Sequence, residues 1–167
     1  MGSKGVAKLR EIVTTLNAKG KGIPESISQL EPFPARTFSE LQSGFFARRF
    51  TVFKFSTYYD SELFALTANH GMKLKYWFGT LLTIVGPVAA FVACFFVSWW
   101  LLLAVPVAFF MGLRMTRNAY QIAIFAAAFE AEISFCLLYF YRQVGVNDMT
   151  TGRGYYWNAE TNSSAIT

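Results

Sequence analysis

The chain has 167 residues, of which 54% are hydrophobic and 15% are charged, and its formal net charge is +5. Soluble domains contain about a quarter charged residues, so this composition is shifted toward proteins that contact lipid. Eleven of the fifteen Lys and Arg, but only six acids, lie in residues 1–75. This asymmetry favours the positive-inside bias of a membrane protein and argues against nucleic-acid binding, because no groove-reading motif accompanies the cations.

Residues 1–75 are predicted to form a basic, partly irregular region that is cytoplasmic or lies at the membrane interface. One face of a short helix at its start is apolar, formed by Val6, Leu9, Ile12, Val13 and Leu16. This helix either lies on anionic lipid or packs against its own protein or a partner, and packing is favoured. Pro24, Pro32 and Pro34 then indicate an irregular arm.

A basic and aromatic stretch follows between Phe45 and Tyr59. Alternating rings and cations are found where nucleic-acid bases stack, but they also suit a membrane surface, where cations meet phosphates and rings lie among headgroups. The membrane interpretation is favoured because an apolar span follows. Arg48, Arg49 and Lys54 are therefore predicted to contact lipid headgroups.

The longest uncharged run extends from Tyr76 to Leu113 and contains no Asp, Glu, Lys, Arg or His. As one helix it would be about 57 Å long, whereas the hydrocarbon of a bilayer is about 30 Å thick. The run is therefore predicted to be a transmembrane helical hairpin whose tip lies near Val97–Trp100. The return leg is short, so residues 101–113 either cross the membrane or re-enter it from the same side.

Residues of the kinds that anchor helices at membrane interfaces lie at both ends of the predicted legs. These anchors are Trp77, Trp99, Trp100, Lys73, Lys75, Arg114 and Arg117. Pro87 and Pro106 begin two similar short segments and would lie at equal depth on the two legs. They are either ordinary kinks, which is the favoured interpretation, or paired helix breaks of the kind found in transporters.

Residues 119–141 are predicted to form a third apolar helix, in which Glu130, Glu132 and Gln121 are a possible intramembrane polar site. Two acids make its insertion marginal, so an interfacial helix is an equal alternative. The remaining residues, 142–167, indicate a polar tail that is extended or disordered.

The motifs of common catalytic and metal sites are absent from the sequence. The single histidine, His70, has no partner ligand nearby in the chain, and Cys94 and Cys136 lie in apolar surroundings. No catalytic residue, metal or cofactor is therefore predicted. An enzyme that uses a carboxylate is the remaining catalytic alternative.

These observations predict an all-α integral membrane protein with three regions: residues 1–75, a membrane domain at 76–141 (hairpin 76–113, third helix 119–141), and a tail at 142–167. The expected location is a membrane, multi-pass, with a cytoplasmic N-terminus. The expected function is a non-catalytic accessory or scaffolding subunit that contacts anionic lipid and other membrane subunits. The alternatives are an oligomeric transporter or channel that uses Glu130 and Glu132 and, third, a membrane-bound enzyme acting on lipid.

Overall fold

The computed structural model describes residues 3–54, 64–65, 68, 70–97, 99–161 and 163–166. This part of the chain is mostly helical, but it also contains a four-stranded antiparallel sheet. The prediction of an all-α protein is therefore wrong, because short segments from both ends of the chain pair as strands.

Along the described chain, two α-helices come first, then one strand, then three α-helices and finally three strands. The helices are α1 (Ser3–Ala18), α2 (Phe38–Phe46), α3 (His70–Phe96), α4 (Ala104–Glu130) and α5 (Glu132–Phe140). The strands are β1 (Phe50–Lys54), β2 (Val144–Asp148), β3 (Arg153–Asn158) and β4 (Ser163–Ile166). Two short 3-10 helices cover Ile27–Gln29 and Trp99–Leu103.

The sheet has the strand order β1-β2-β3-β4, and every neighbouring pair is antiparallel. Apolar residues alternate along β2 and β3, so Val144, Val146, Tyr155 and Trp157 are buried on one face. Three of the four strands come from residues 142–167, which were predicted to be an extended or disordered tail. β1 precedes α3 and α4 in the chain and pairs with β2, which follows them.

The described chain divides into two compact units. The first unit combines Met1–Thr67 with Ile124–Thr167, and the second unit is Ala68–Ala123. The second unit therefore lies, in sequence, between two segments that fold together in the first.

The first unit has a core in which α1 packs against α5. Leu9 and Val13 of α1 are buried in one cluster with Ile23, Ile133 and Leu137. The apolar face of α1 thus packs inside its own unit, which agrees with the interpretation that the sequence favoured. Nearby, the ring of Phe33 contacts Phe135, Tyr139 and Tyr155.

The predicted third helix, 119–141, is not a single element. Its first part continues α4 to Glu130, and Ala131 then has extended backbone angles (φ −151°, ψ 144°) that separate α4 from α5. Every residue of α5 from Ile133 to Tyr139 is buried. A helix that is apolar on all sides belongs either in a membrane or in a protein core, and α5 lies in the core of the first unit.

The second unit contains α3, the 3-10 helix at Trp99–Leu103 and most of α4. The interruption between α3 and α4 falls where the sequence predicted the tip of the hairpin. Among the described helices, only α3 has the length and composition of a membrane span, with a mean hydropathy of 2.1 over its best window.

Candidate functional site

The second unit presents an apolar surface that its own fold does not cover. Only 6% of the most apolar window of α3 is buried, so α3 does not form the core of its own unit. Among the described residues, all but four of the large hydrophobic side chains that are exposed lie in this unit. The four exceptions are Phe45, Phe46, Met149 and Ile166. An exposed apolar surface of this extent indicates contact with lipid or with another protein.

Helices α3 and α4 approach each other closely along a seam of small residues. A Cβ atom on Gly79 would lie 2.8 Å from the backbone nitrogen of Thr116, and one on Gly112 would lie 2.6 Å from that of Thr83. Small residues three to four positions apart let helix backbones meet in a membrane, where lipid provides little hydrophobic drive for helix association. This seam was not predicted, although the four-residue spacing of Gly79 with Thr83 and of Gly112 with Thr116 is visible in the sequence.

The threonine hydroxyls of the second unit are satisfied within their own helices. Thr80, Thr83 and Thr116 each donate a hydrogen bond to the carbonyl four residues earlier, at 2.9, 2.8 and 2.9 Å. These bonds matter because an unsatisfied polar group costs several kcal/mol in hydrocarbon. The polar side chains of the seam therefore do not oppose insertion into a bilayer.

The charged residues of the second unit are all basic, because residues 68–123 contain no Asp or Glu. Lys73, Lys75, Arg114 and Arg117 are exposed. The contacts of Gly79 with Thr116 and of Gly112 with Thr83 set the helix register, in which all four cations lie in the half of the hairpin away from the Trp99–Leu103 turn. Arg114, level with about Leu81 of α3, lies nearest the middle. The predicted cationic anchors therefore share one half of this unit, with the lysines nearer its end than the arginines.

The other predicted anchors and breaks lie on α3, on α4 and in the 3-10 helix between them. Trp77 and Trp99 are more than half exposed, and Trp100 falls in the 3-10 helix, its side chain lying outside the described residues. Pro87 lies inside α3, which continues past it to Phe96. Pro106 lies in the first turn of α4, where the missing N–H has no helical partner to lose. The two prolines are therefore not equivalent.

The predicted intramembrane polar site is divided between the two units. Gln121 is exposed on the part of α4 that belongs to the second unit, whereas Glu130 and Glu132 belong to the first. The Glu132 carboxylate accepts hydrogen bonds from the Ser26 hydroxyl at 3.0 Å and from the Ile27 backbone N–H at 2.8 Å. Glu132 thus holds the start of a 3-10 helix inside the first unit.

The cations predicted to contact headgroups, Arg48, Arg49 and Lys54, differ in their surroundings. Arg49 lies 3.9 Å from Asp148 and 4.0 Å from Glu40, so its charge is partly neutralised. Lys54 is half-buried at the end of β1. Arg48 is exposed, and its backbone has a left-handed conformation (φ 58°) just after α2.

Asp148 is a buried carboxylate at the end of β2, beside Arg49. It accepts hydrogen bonds from the hydroxyl of Thr150 and, at 2.9 Å, from the Thr150 backbone N–H. Burial raises the pKa of Asp148, but these bonds and the charge of Arg49 lower it by more, so the net pKa is below its ordinary value. This arrangement fixes the turn between β2 and β3.

A cavity of about 690 Å³ lies along the irregular arm of the first unit. It is lined by Ile27, Ser28, Leu30, Glu31, Pro32, Phe33, Ala35 and Arg36. Within the described residues, no three His, Cys, Asp or Glu side chains are placed to hold a metal ion. The charged side chains of the cavity are one acidic residue, Glu31, and one basic residue, Arg36. No nucleophile is paired with a general base there, so the lining does not form a recognisable catalytic arrangement.

Comparisons of the chain with protein-family models, with curated proteins and with solved structures find no match.

Proposed function

We propose that this protein is a membrane-anchored, non-catalytic accessory or scaffolding subunit. In this proposal the hairpin of α3 and α4 lies in the bilayer, and the first unit is held at the cytoplasmic surface, where it contacts other membrane subunits. The observation that carries the proposal is the apolar, uncovered surface of α3 in a unit whose charges are all basic.

The sheet of the first unit supports a hairpin with both ends on one side of the membrane. β1 and β2 exchange backbone hydrogen bonds along five paired residues, although the second unit separates them in the chain. Strands cannot pair across a bilayer, so the chain has to return to the side from which it entered. Positive residues next to the hairpin favour the cytoplasm as that side.

The first unit also has surface suited to a partner protein. Phe46 at the end of α2 is 83% exposed, and Met149 in the turn between β2 and β3 is 62% exposed. Arg48, which is exposed between α2 and β1, adds a charged group to this region of the first unit. Protein interfaces are enriched in aromatic residues, Met and Arg, so these three residues support a protein contact.

Membrane anchoring is tested by flotation after alkaline extraction of membranes that contain the full-length protein. We expect the wild-type protein to stay with the lipid. Val85→Glu places a charge on the exposed face of α3 and should release it, whereas Glu11→Gln on the exposed face of α1 is a matched control and should not. Extraction of the wild-type protein as a soluble species would contradict the anchoring.

The scaffolding role is tested separately, by purification from native membranes with quantitative mass spectrometry. A partner recovered at fixed stoichiometry by the wild-type protein and lost with Phe46→Ser is the expected result. If Glu130→Gln with Glu132→Gln abolished an ion or solute flux in vesicles while the protein stayed folded, the transporter alternative would replace this proposal.

A further inference from the structure

We infer that the outer face of α4 is a binding site for one anionic phospholipid, whose phosphate lies against Arg114, Arg117, Asn118 and Gln121. This inference rests on the proposed membrane anchoring of the hairpin and names the lipid class that the hairpin would hold. All residues of this site lie in the second unit.

The four polar residues form one stripe because they occupy positions i, i+3, i+4 and i+7 of a helix, which share one face. All four side chains are exposed, and none forms an ion pair or hydrogen bond with another described residue. Gly112 and Ala119 lie on the opposite face of the same helix and are buried. The polar stripe therefore points away from the small-residue seam. It is open to a ligand.

The chemistry of the stripe selects an anion. Two guanidinium groups one helical turn apart can donate paired hydrogen bonds to phosphate oxygens, and the amides of Asn118 and Gln121 add further donors. Residues 68–123 contain no carboxylate that would compete for these arginines. An anionic headgroup would supply the missing counter-charge at the membrane surface.

The same face of α4 becomes apolar toward the turn of the hairpin. Phe110 and Val107 are 66% and 57% exposed there, and Leu103, in the turn before α4, is 63% exposed. Val107 lies about 10 Å along the helix from Arg114, which is within the roughly 15 Å of hydrocarbon in one leaflet. A phospholipid lying along α4 would place its phosphate at the arginines and its acyl chains on Phe110 and Val107.

The test is native mass spectrometry of the full-length protein in detergent, titrated with phosphatidylglycerol or phosphatidylcholine of identical acyl chains. We expect one phosphatidylglycerol to bind, and we expect Arg114→Gln with Arg117→Gln to weaken that binding at least about tenfold without changing the binding of phosphatidylcholine. Phe110→Ala with Val107→Ala should weaken the binding of both lipids, because the double substitution removes contacts with the acyl chains.

Lys73→Gln with Lys75→Gln removes the same charge from α3 and is the matched control. A loss equal to that of the arginine variant would overturn the site and leave only diffuse attraction. Displacement of phosphatidylglycerol by an equal concentration of glycerol phosphate would overturn it too, because the site would then need no acyl chain. If the wild-type protein floats with membranes but shows no preference for phosphatidylglycerol, this inference fails while the proposed anchoring stands.

Discussion

The carboxylate of Glu132 accepts a hydrogen bond from the backbone N–H of Ile27 at 2.8 Å, although 105 residues separate the two in the chain. A second bond, from the hydroxyl of Ser26, reaches the same oxygen. An acid that the sequence placed among candidates for an intramembrane site is thus a structural link between α5 and the irregular arm.

Replacing this acid tests that role. Glu132→Ala leaves the Ile27 N–H without its partner, and we expect it to lower the free energy of unfolding by about 1–3 kcal/mol. Glu132→Gln keeps an acceptor oxygen and should lower the free energy of unfolding by less. Thermal or urea unfolding in detergent measures both, with the exposed Glu11→Ala as a control that should change stability by less than about 0.5 kcal/mol. Equal stability of Glu132→Ala and wild type would contradict the link.

The seam between α3 and α4 makes a second prediction. Gly112→Val adds a side chain where a Cβ atom already lies 2.6 Å from the Thr83 nitrogen, so the helices have to separate. We expect the free energy of unfolding to fall by about 1–3 kcal/mol, which is measured as a lower unfolding temperature in detergent. Ala89→Val adds similar volume on the exposed side of α3 and should have little effect. Similar losses for the two variants would argue against a tight seam.

The depressed pKa of Asp148 makes the stability of the first unit depend on pH. Because its pKa is lower in the folded state than its ordinary value of 3.8, the ionised carboxylate stabilises the fold at pH values above about 4. That contribution is lost as the pH falls through the folded pKa. Asp148→Asn should therefore be less stable than wild type at neutral pH, and the difference should shrink as the pH falls below 3.8. Glu160→Gln, at an exposed acid, should show no such convergence.

The left-handed backbone at Arg48 predicts a stabilising substitution. The N–H groups of Arg48 and Arg49 donate to the carbonyls of Phe45 and Gly44 at 3.0 and 2.8 Å, a helix-ending motif in which glycine usually occupies the left-handed position. Arg48→Gly should raise the free energy of unfolding by about 0.5–1 kcal/mol, since it relieves the strain of a side chain there. Arg48→Ala keeps the strain and serves as the comparison; if it stabilised the protein as much, the explanation would fail.

The buried thiol of Cys136 should be unreactive. Burial, with a smaller contribution from the nearby charge of Glu132, raises the pKa of this thiol to about 12, so very little thiolate is present at pH 8. In a Cys94→Ser background, iodoacetamide should label the folded protein slowly and the denatured protein rapidly. Fast labelling of the folded protein would show that the α5 core opens readily.

The helical hairpin was predictable because an uncharged run of thirty-eight residues is too long for one membrane-spanning helix. The interruption between α3 and α4 falls where the tip of the hairpin was predicted. The sheet was not, since β1 pairs with a strand on the far side of the second unit, and the short alternations at Val144–Val146 and Tyr155–Trp157 are weak local signals. The apolar character of α5 was visible too, but core burial and membrane insertion require the same residues. The packing of α5 against α1 and the hydrogen bonds of Glu132 distinguish the two.

The pairing of β1 with β2 has a consequence for how the protein is made. A ribosome completes β1 first, then both legs of the hairpin, and only then β2, so β1 keeps an open edge of N–H and C=O groups during synthesis. If the hairpin is inserted as proposed, the sheet can close only after the second leg has returned to the side on which β1 lies. In that case, closure of the sheet reports that both legs of the hairpin have formed and that their outer ends lie on the same side of the membrane.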